Sequence, residues 1–588
     1  MTPSIPQAKA AILSILCLIT LSVTGPSASA AVATGLDIGL PRGASIERGR
    51  LLLFVVPAGV SPEREPRELA SADEHAIPVF GLEVTSWRPG TTRRIEGSIP
   101  GFPLRTLSAL PPGRYRLQAL LRRYESVRLA DGRALQLPRP QTTHAGVFAA
   151  VGDRYSRPVT LEWDGTRWGM TGTPLPTVLL TEAISAPAPF VETPWVKHIQ
   201  IRSERLSAFW GRDVMLGAFV TLPLGFESHP NARYPLVIQH GLFPAGPSGW
   251  RERAPDSDLA PDFSDRFQLA GDNRLQQRLA WELHQAWIAP GFPRVLLVEI
   301  QHPTPFHESS YAVNSANNGP YGDAIQYELI PEIERRFRGI GQGWARFVFG
   351  GSAGGWMAMA AQVFYPEEYN GAWIACPDPI DFRHLVSIDL HTDRNAYLWP
   401  NPFKATRRPG YRNARGHVLA TIEDQANFES ALALHARSGE QWDAWESVFS
   451  PAGTDGYPRR LWDRLTGEID PVTASHWREH YDLGHRLRRD WRVLGPKLRG
   501  KLRITVGEAD NYHLEAAVQS VERFLRTAEP ASEAIIDYGP RAEHCWNGDP
   551  TRPNAESRWR YPQMVLPWAV DRMLRTAPAG ADLHSWRY

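Results

Sequence analysis

The hydrophobic positions of the chain change rhythm near residue 190. Before it, short apolar or alternating runs recur at Leu51–Val56, Val79–Val84 and Tyr115–Leu121. They are cut by turn residues such as Pro111-Pro112-Gly113 and Asp131-Gly132. Several strands at this spacing predict a β-sandwich-like domain over residues 31–190. Pro187 to Pro194 reads as a linker punctuated by proline. From about 196 strands alternate with helices. Lys197–Phe209 and Val214–Leu222 alternate as strands, and Pro235–Gln239, Val295–Ile300, Arg346–Phe349 and Gly371–Ala375 are mostly apolar, as buried strands are. Helical stretches fall at Asn273–Ala286, at Tyr321–Phe337 and from Ala353 onward. This order predicts an α/β domain over 191–588 with a mostly parallel sheet. About 120 residues rich in Trp, Arg and His separate residue 377 from the next strand, Leu502–Val506. A segment that long reads as an inserted cap, at about 377–497. The strand Ala534–Asp537 and a helix near Gln563–Leu574 complete the pattern.

Length and composition narrow the class. A chain of 588 residues exceeds one hydrophobic core. A formal net charge of +1 gives no electrostatic case for nucleic acid or an anionic membrane surface as partner. Lys9, the apolar stretch Ala10–Val23 and the small-residue site Ala28-Ser29-Ala30 read as a cleaved export signal over 1–30. The stretch is shorter than the roughly 20 residues a membrane span needs. A secreted or periplasmic protein is expected, with no span once the signal is removed. Of the three cysteines, Cys17 leaves with the signal. Cys376 and Cys545 remain, an even number in an oxidising compartment. Two thiols alone make a poor zinc site, and HExxH, Walker, GxGxxG and EF-hand patterns are absent. The sequence thus calls for no metal and no cofactor.

One motif carries chemistry. Gly350-Gly351-Ser352-Ala353-Gly354 fits G-x-S-x-G, with the apolar strand Phe347–Phe349 before it and a helix of small residues after it. That context makes it a nucleophile elbow, with Ser352 above the sheet edge and the Ala353 amide beside it. The second oxyanion donor belongs to the loop after the third strand. There His240-Gly241-Leu242-Phe243 follows Pro235–Gln239, and Leu242 N–H is the candidate. The order serine, acid, histidine puts the acid after Leu502–Val506. Asp510 of Gly507-Glu508-Ala509-Asp510 is chosen, with Glu508 the local rival and Asp378 or Asp381 rivals from the preceding strand. The base must follow the last strand, and His544 of Glu543-His544-Cys545-Trp546 does. His513 and the tail residue His584 are less well placed, and His240 shapes its own loop. Asn314, Asn317, Asn318 and Tyr321, after the fourth strand, are candidates for the substrate side. Trp356 reads as core. Cys545 adjoins His544 and Cys376 ends the strand beside the elbow, so a Cys376–Cys545 disulfide is expected to anchor the histidine loop.

With these residues in place, the chain resembles the esterase group of α/β-hydrolases that includes esterase D and the antigen 85 mycolyltransferases. The resemblance covers roughly 196–575. It rests on Tyr234–Gly241, on Tyr321-Gly322 leading into Glu328–Glu334, on Gly350–Gly355, on Gly507–Asp510 and on His544. It implies Ser352, Asp510 and His544 as the triad of a serine hydrolase acting on a small-molecule or polymer-borne carboxylic ester. The long cap and the β-rich front part depart from the smaller members, so their substrates do not carry over. A serine peptidase or an acyltransferase of the same fold remains open. So does a non-catalytic surface-binding protein.

Overall fold

Leu51, Leu53 and Val55 point to one side of their strand and Leu52, Phe54 and Val56 to the other, and both sides are buried. That is why the run reads as continuously apolar rather than alternating. In the computed structural model the strand Glu47–Pro57 lies between Val79–Trp87 and Gly113–Arg128 in a nine-stranded sheet, antiparallel to both. One face of this sheet packs on a small sheet of Leu36–Gly39, Thr92–Ile95 and Val178–Leu179. The other face packs on Phe428, Ala431 and Leu432, more than 300 residues along the chain. The structure describes residues 35–588 apart from 46, 140–147, 149, 170–176, 242–249, 265–268, 547 and 552–556. The expected export signal lies outside the described residues.

The second sheet has eight strands: β1 Val196–Arg202, β2 Met215–Thr221, β3 Leu236–His240, β4 Leu296–Gln301, β5 Arg346–Gly351, β6 Gly371–Ala375, β7 Leu502–Gly507 and β8 Ile535–Gly539. Their spatial order is β1-β2-β4-β3-β5-β6-β7-β8. The first two pairings are antiparallel and all others parallel. With helices Asp272–Ile288, Ala353–Phe364, Glu515–Leu525 and Arg560–Thr576 around it, this is the α/β-hydrolase fold. The strand expected over Lys197–Phe209 is shorter. It stops at Arg202, and Ser203 caps a helix over Glu204–Trp210, its Oγ accepting the Leu206 amide at 3.1 Å. That N-cap bond outweighs the strand-like alternation. The helix from Tyr321 runs to Arg336 with a π-turn at Ile325–Leu329.

Between β6 and β7 lie the helices Ile422–Leu432, Gln441–Phe449, Pro471–His480 and Leu483–Leu498, and the hairpin Pro409–Arg412/Val418–Thr421. The tryptophans of this cap pack on each other, Trp442 against Trp445 and Trp462 with ring centroids 5.0 and 4.8 Å apart. Buried Asp443 and Glu446 are matched by Arg460 and Arg464. The β-rich region holds this cap through arginines aimed at its backbone. Arg50 donates to the Ala431 carbonyl at 2.9 Å and Arg122 to the Ser438 carbonyl at 2.6 Å. In return Arg437 reaches the Gln136 carbonyl at 2.8 Å and the Glu83 carboxylate at 2.9 Å. No helix of the described residues is long and apolar enough to cross a membrane.

Candidate active site

Strand β5 turns into the helix Ala353–Phe364 at a single residue, Ser352, whose φ of 57° and ψ of −126° lie in a sparsely populated region. The turn is possible because neighbouring backbones almost touch. A Cβ on Gly350 would lie 2.4 Å from the Gly354 carbonyl, and one on Gly354 would lie 2.2 Å from the His240 oxygen. The Ser352 amide is held by the Ala375 carbonyl at 3.1 Å and the Cys376 sulfur at 3.2 Å. Ala353 follows as the first helical residue, its amide at the helix N-terminus. Leu242, the expected second oxyanion donor, lies outside the described residues.

The turns after β7 and β8 bring the other two residues to the serine. His544 Nε2 lies 2.9 Å from Ser352 Oγ, and His544 Nδ1 lies 2.8 Å from Asp510 Oδ2. Asp510 is fully buried, and its other oxygen accepts the Tyr512 amide at 2.9 Å. Burial alone would depress the His544 imidazole. The sulfur of Cys545 and the carboxylate of Asp510 outweigh it and hold the pKa well above the usual histidine range. Sequence reasoning missed Asn511, whose Oδ1 accepts the His544 amide at 3.0 Å while its Nδ2 donates to the Arg412 carbonyl at 2.9 Å. Arg412, from the cap hairpin, donates to the Asp510 carbonyl at 2.9 Å. The available signal was an asparagine directly after the candidate acid.

The rival acids stand elsewhere. Glu508 is exposed, and Asp381 is paired with Arg488 at 2.7 Å. Asp378 touches Ser352 and not Nδ1 of His544. Its Oδ1 lies 3.3 Å from Ser352 Oγ, and its Oδ2 accepts the Tyr311 hydroxyl at 2.9 Å and the Trp445 indole N–H at 3.2 Å. Burial pushes its pKa up, against those hydrogen bonds and the charge of His544. His240 is buried beside the elbow, and burial lowers its pKa to about 4, which keeps the ring neutral.

The four candidates for the substrate side do not border the cavity at Ser352. Asn317 and Asn318 are buried, and their side-chain amides donate to the carbonyls of Ser450 and Ser447 at 2.8 and 3.3 Å. They thereby satisfy the C-terminal end of helix Gln441–Phe449. Asn314 accepts the Asp323 amide, and the Tyr321 hydroxyl donates to the Pro303 carbonyl. Their polarity serves loop and helix-end hydrogen bonding. Trp356 is core, edge-on to Tyr311 and tilted against Phe449.

Cys376 and Cys545 stand as two buried thiols and not as the expected disulfide, although their sulfurs lie within 4.8 Å of each other and of a ring nitrogen of His544. The Cys376 sulfur is instead turned to the Ser352 amide. These three residues are one of two groups among the described residues spaced to hold a metal ion. The other is Asp381, His391 and Asp482. In that second group Asp381 is already matched by Arg488 and Asp482 caps the helix Leu483–Leu498, so both carboxylates have structural work.

Ser352 and His544 open on a cavity of about 590 Å³. Its walls come from the cap, including Tyr411, Trp442 and Trp445, and from Ala70–Asp73 of the β-rich region. No family model matches the chain, and no curated protein matches it. Among solved structures it is similar to a ferulic acid esterase, 14% identical over 64% of this chain and 98% of that one, with a TM-score of 0.33. An S-formylglutathione hydrolase from Agrobacterium tumefaciens is 12% identical over 65% of this chain and 98% of its own, with a TM-score of 0.30. FphF, a fluorophosphonate-binding serine hydrolase of Staphylococcus aureus, is 14% identical over 64% and 98%, with a TM-score of 0.29.

Proposed function

We propose that this chain is an exported serine hydrolase that cleaves carboxylic esters through an acyl-enzyme. One observation carries the reading: the hydrogen-bonded line from Ser352 through His544 to buried Asp510, at the wall of a cavity large enough for a substrate. Ser352 Oγ attacks the acyl carbon while His544 Nε2 takes its proton. Asp510 holds the ring in the tautomer that leaves Nε2 free to accept, and it stabilises the imidazolium that forms. The Ala353 amide and a donor from the loop after β3 bind the oxyanion. His544 then protonates the leaving alcohol, and water, activated by the same ring, releases the acid.

Ser352→Ala should lower p-nitrophenyl acetate hydrolysis by several orders of magnitude at nearly unchanged Tm. A fluorophosphonate probe should label the wild type at Ser352. Strong residual activity in the variant would sink the proposal. Export belongs to the same reading, and with it oxidation of Cys376 and Cys545 to a disulfide outside the cytoplasm. Alkylation of the denatured exported protein without reductant should add no mass. Two alkyl groups added would show that the thiols stay free.

A further inference from the structure

The cavity at Ser352 is acidic. Five carboxyl-bearing residues border it, Asp73, Glu308, Asp378, Glu429 and Glu440, while no Lys or Arg does among the described residues. Four of these groups are engaged by the protein, Glu308 among them. Asp378 holds Tyr311, Trp445 and Ser352 as described, and Glu429 accepts the amides of Trp442 and Asp443 at 2.8 and 2.9 Å. Asp73 accepts the Ser71 hydroxyl and the His75 amide. Glu440 differs, because no hydrogen bond reaches its carboxyl among the described residues. His544 is the cationic group on the cavity wall among the described residues and acts on Asp378, while Arg122 acts on Glu440 and Arg464 lies 3.8 Å from Glu429 without bordering the cavity. Burial raises both Glu308 and Glu440 to about 7, so each is ionised only in part near neutral pH. Tyr411, Trp442, Trp445 and Tyr512 add aromatic rings to the walls.

We propose that this cavity selects esters carrying a cationic nitrogen, a quaternary ammonium or protonated amine, on the acyl or the alcohol side. A cation entering the cavity would favour the ionised form of Glu440, whose carboxyl no hydrogen bond reaches among the described residues, and aromatic faces attract the same group through their quadrupole. An anionic substrate would meet like charge and lose its hydration without compensation. The inference rests on the esterase reading and adds to it the charge of the substrate.

Charge is separated from shape by carbon isosteres. Choline butyrate should be compared with 3,3-dimethylbutyl butyrate for the alcohol side. The ethyl ester of 4-trimethylammoniobutanoate should be compared with ethyl 5,5-dimethylhexanoate for the acyl side. In at least one pair kcat/KM should favour the cation by tenfold or more, which is about 1.4 kcal/mol. Glu440→Gln and Glu308→Gln should each reduce that ratio several-fold. Because each ratio compares two substrates on one enzyme, partial loss of folding cancels. Ratios near one in both pairs overturn the inference, as does faster cleavage of an acetylated neutral sugar than of either cationic ester. Absence of activity on p-nitrophenyl acetate, with Ser352 inert to fluorophosphonate, would instead overturn the esterase reading itself.

Discussion

Asp510→Asn separates the two carboxylates that stand near the reacting atoms. Asp510 Oδ2 is 2.8 Å from His544 Nδ1. At that separation, with an effective dielectric constant of about 20, unit charges attract by about 6 kcal/mol. The amide removes the charge and can also offer an N–H to Nδ1. The ring proton then moves to Nε2, which can no longer accept from Ser352. Serine proteases lose about 10⁴ in kcat from the same change, or about 5.5 kcal/mol of barrier, and a loss of that size is expected here. Asp378 reaches the ring only across the serine, 3.3 Å beyond an oxygen that is itself 2.9 Å from Nε2. At about 6 Å or somewhat less the same estimate gives about 3 kcal/mol, half the Asp510 value, so Asp378→Asn should cost about 10² in kcat. The assay is kcat and KM on p-nitrophenyl acetate for both variants, with Tm measured alongside to exclude unfolding. A greater loss in Asp378→Asn than in Asp510→Asn would refute the assignment of the acid.

The pH profile should report the histidine's surroundings. His544 must be neutral to accept a proton, so kcat/KM rises with pH through its raised pKa, and the acid limb should lie above 6.5. In the reduced protein Cys545→Ser removes one influence that raises this pKa, so the limb should move to lower pH; no movement, or movement upward, would contradict the account. Phe428 is buried between the β-rich sheet and the cap, 5.8 Å from the Phe102 ring in an edge-on contact. Phe428→Ala should cost about 3–5 kcal/mol of stability, read as a lower Tm. Because Phe428 also borders the cavity, KM should rise more than kcat falls. An unchanged Tm would mean that the two parts do not depend on this contact.

The residues legible in the sequence are those whose place follows from chain order. A nucleophile between a strand and a helix of small residues, an acid after one later strand and a histidine after the next are fixed by the topology of the sheet. The side chains at Ser352, Asp510 and His544 stand within hydrogen-bonding distance in turn, serine to histidine to aspartate. Asn314, Asn317, Asn318 and Tyr321 misled because a polar loop after β4 looks alike whether it faces a ligand or a helix end. Only the packing of Gln441–Phe449 against it reveals that the amides answer the carbonyls of Ser447 and Ser450. The Cys376–Cys545 expectation caught the approach of the two sulfurs, and the bond between them belongs to the proposed export. The short helix at Glu204–Trp210 was hidden because local alternation does not register a cap bond made by one serine.

What no local pattern could reveal is the cavity itself. Its walls combine Ala70–Asp73, the hairpin and helices of the cap, and the turns carrying Asp510 and His544, segments separated by hundreds of residues. The β-rich region is therefore more than an appended module. The sheet that carries Leu52, Phe54 and Val56 rests on Phe428, Ala431 and Leu432, while Arg50 and Arg122 fix the backbone just beyond. Glu429, on that same helix, accepts the first amides of Gln441–Phe449, and Trp445 on that next helix donates to Asp378 beside the nucleophile. Contact thus runs without a break from the front sheet through two cap helices to the serine. A change in the front sheet that tilts the helix Ile422–Leu432 acts on the cavity wall directly and, through the helix's N-cap Thr421 and the hairpin that carries Arg412, on the brace at Asp510.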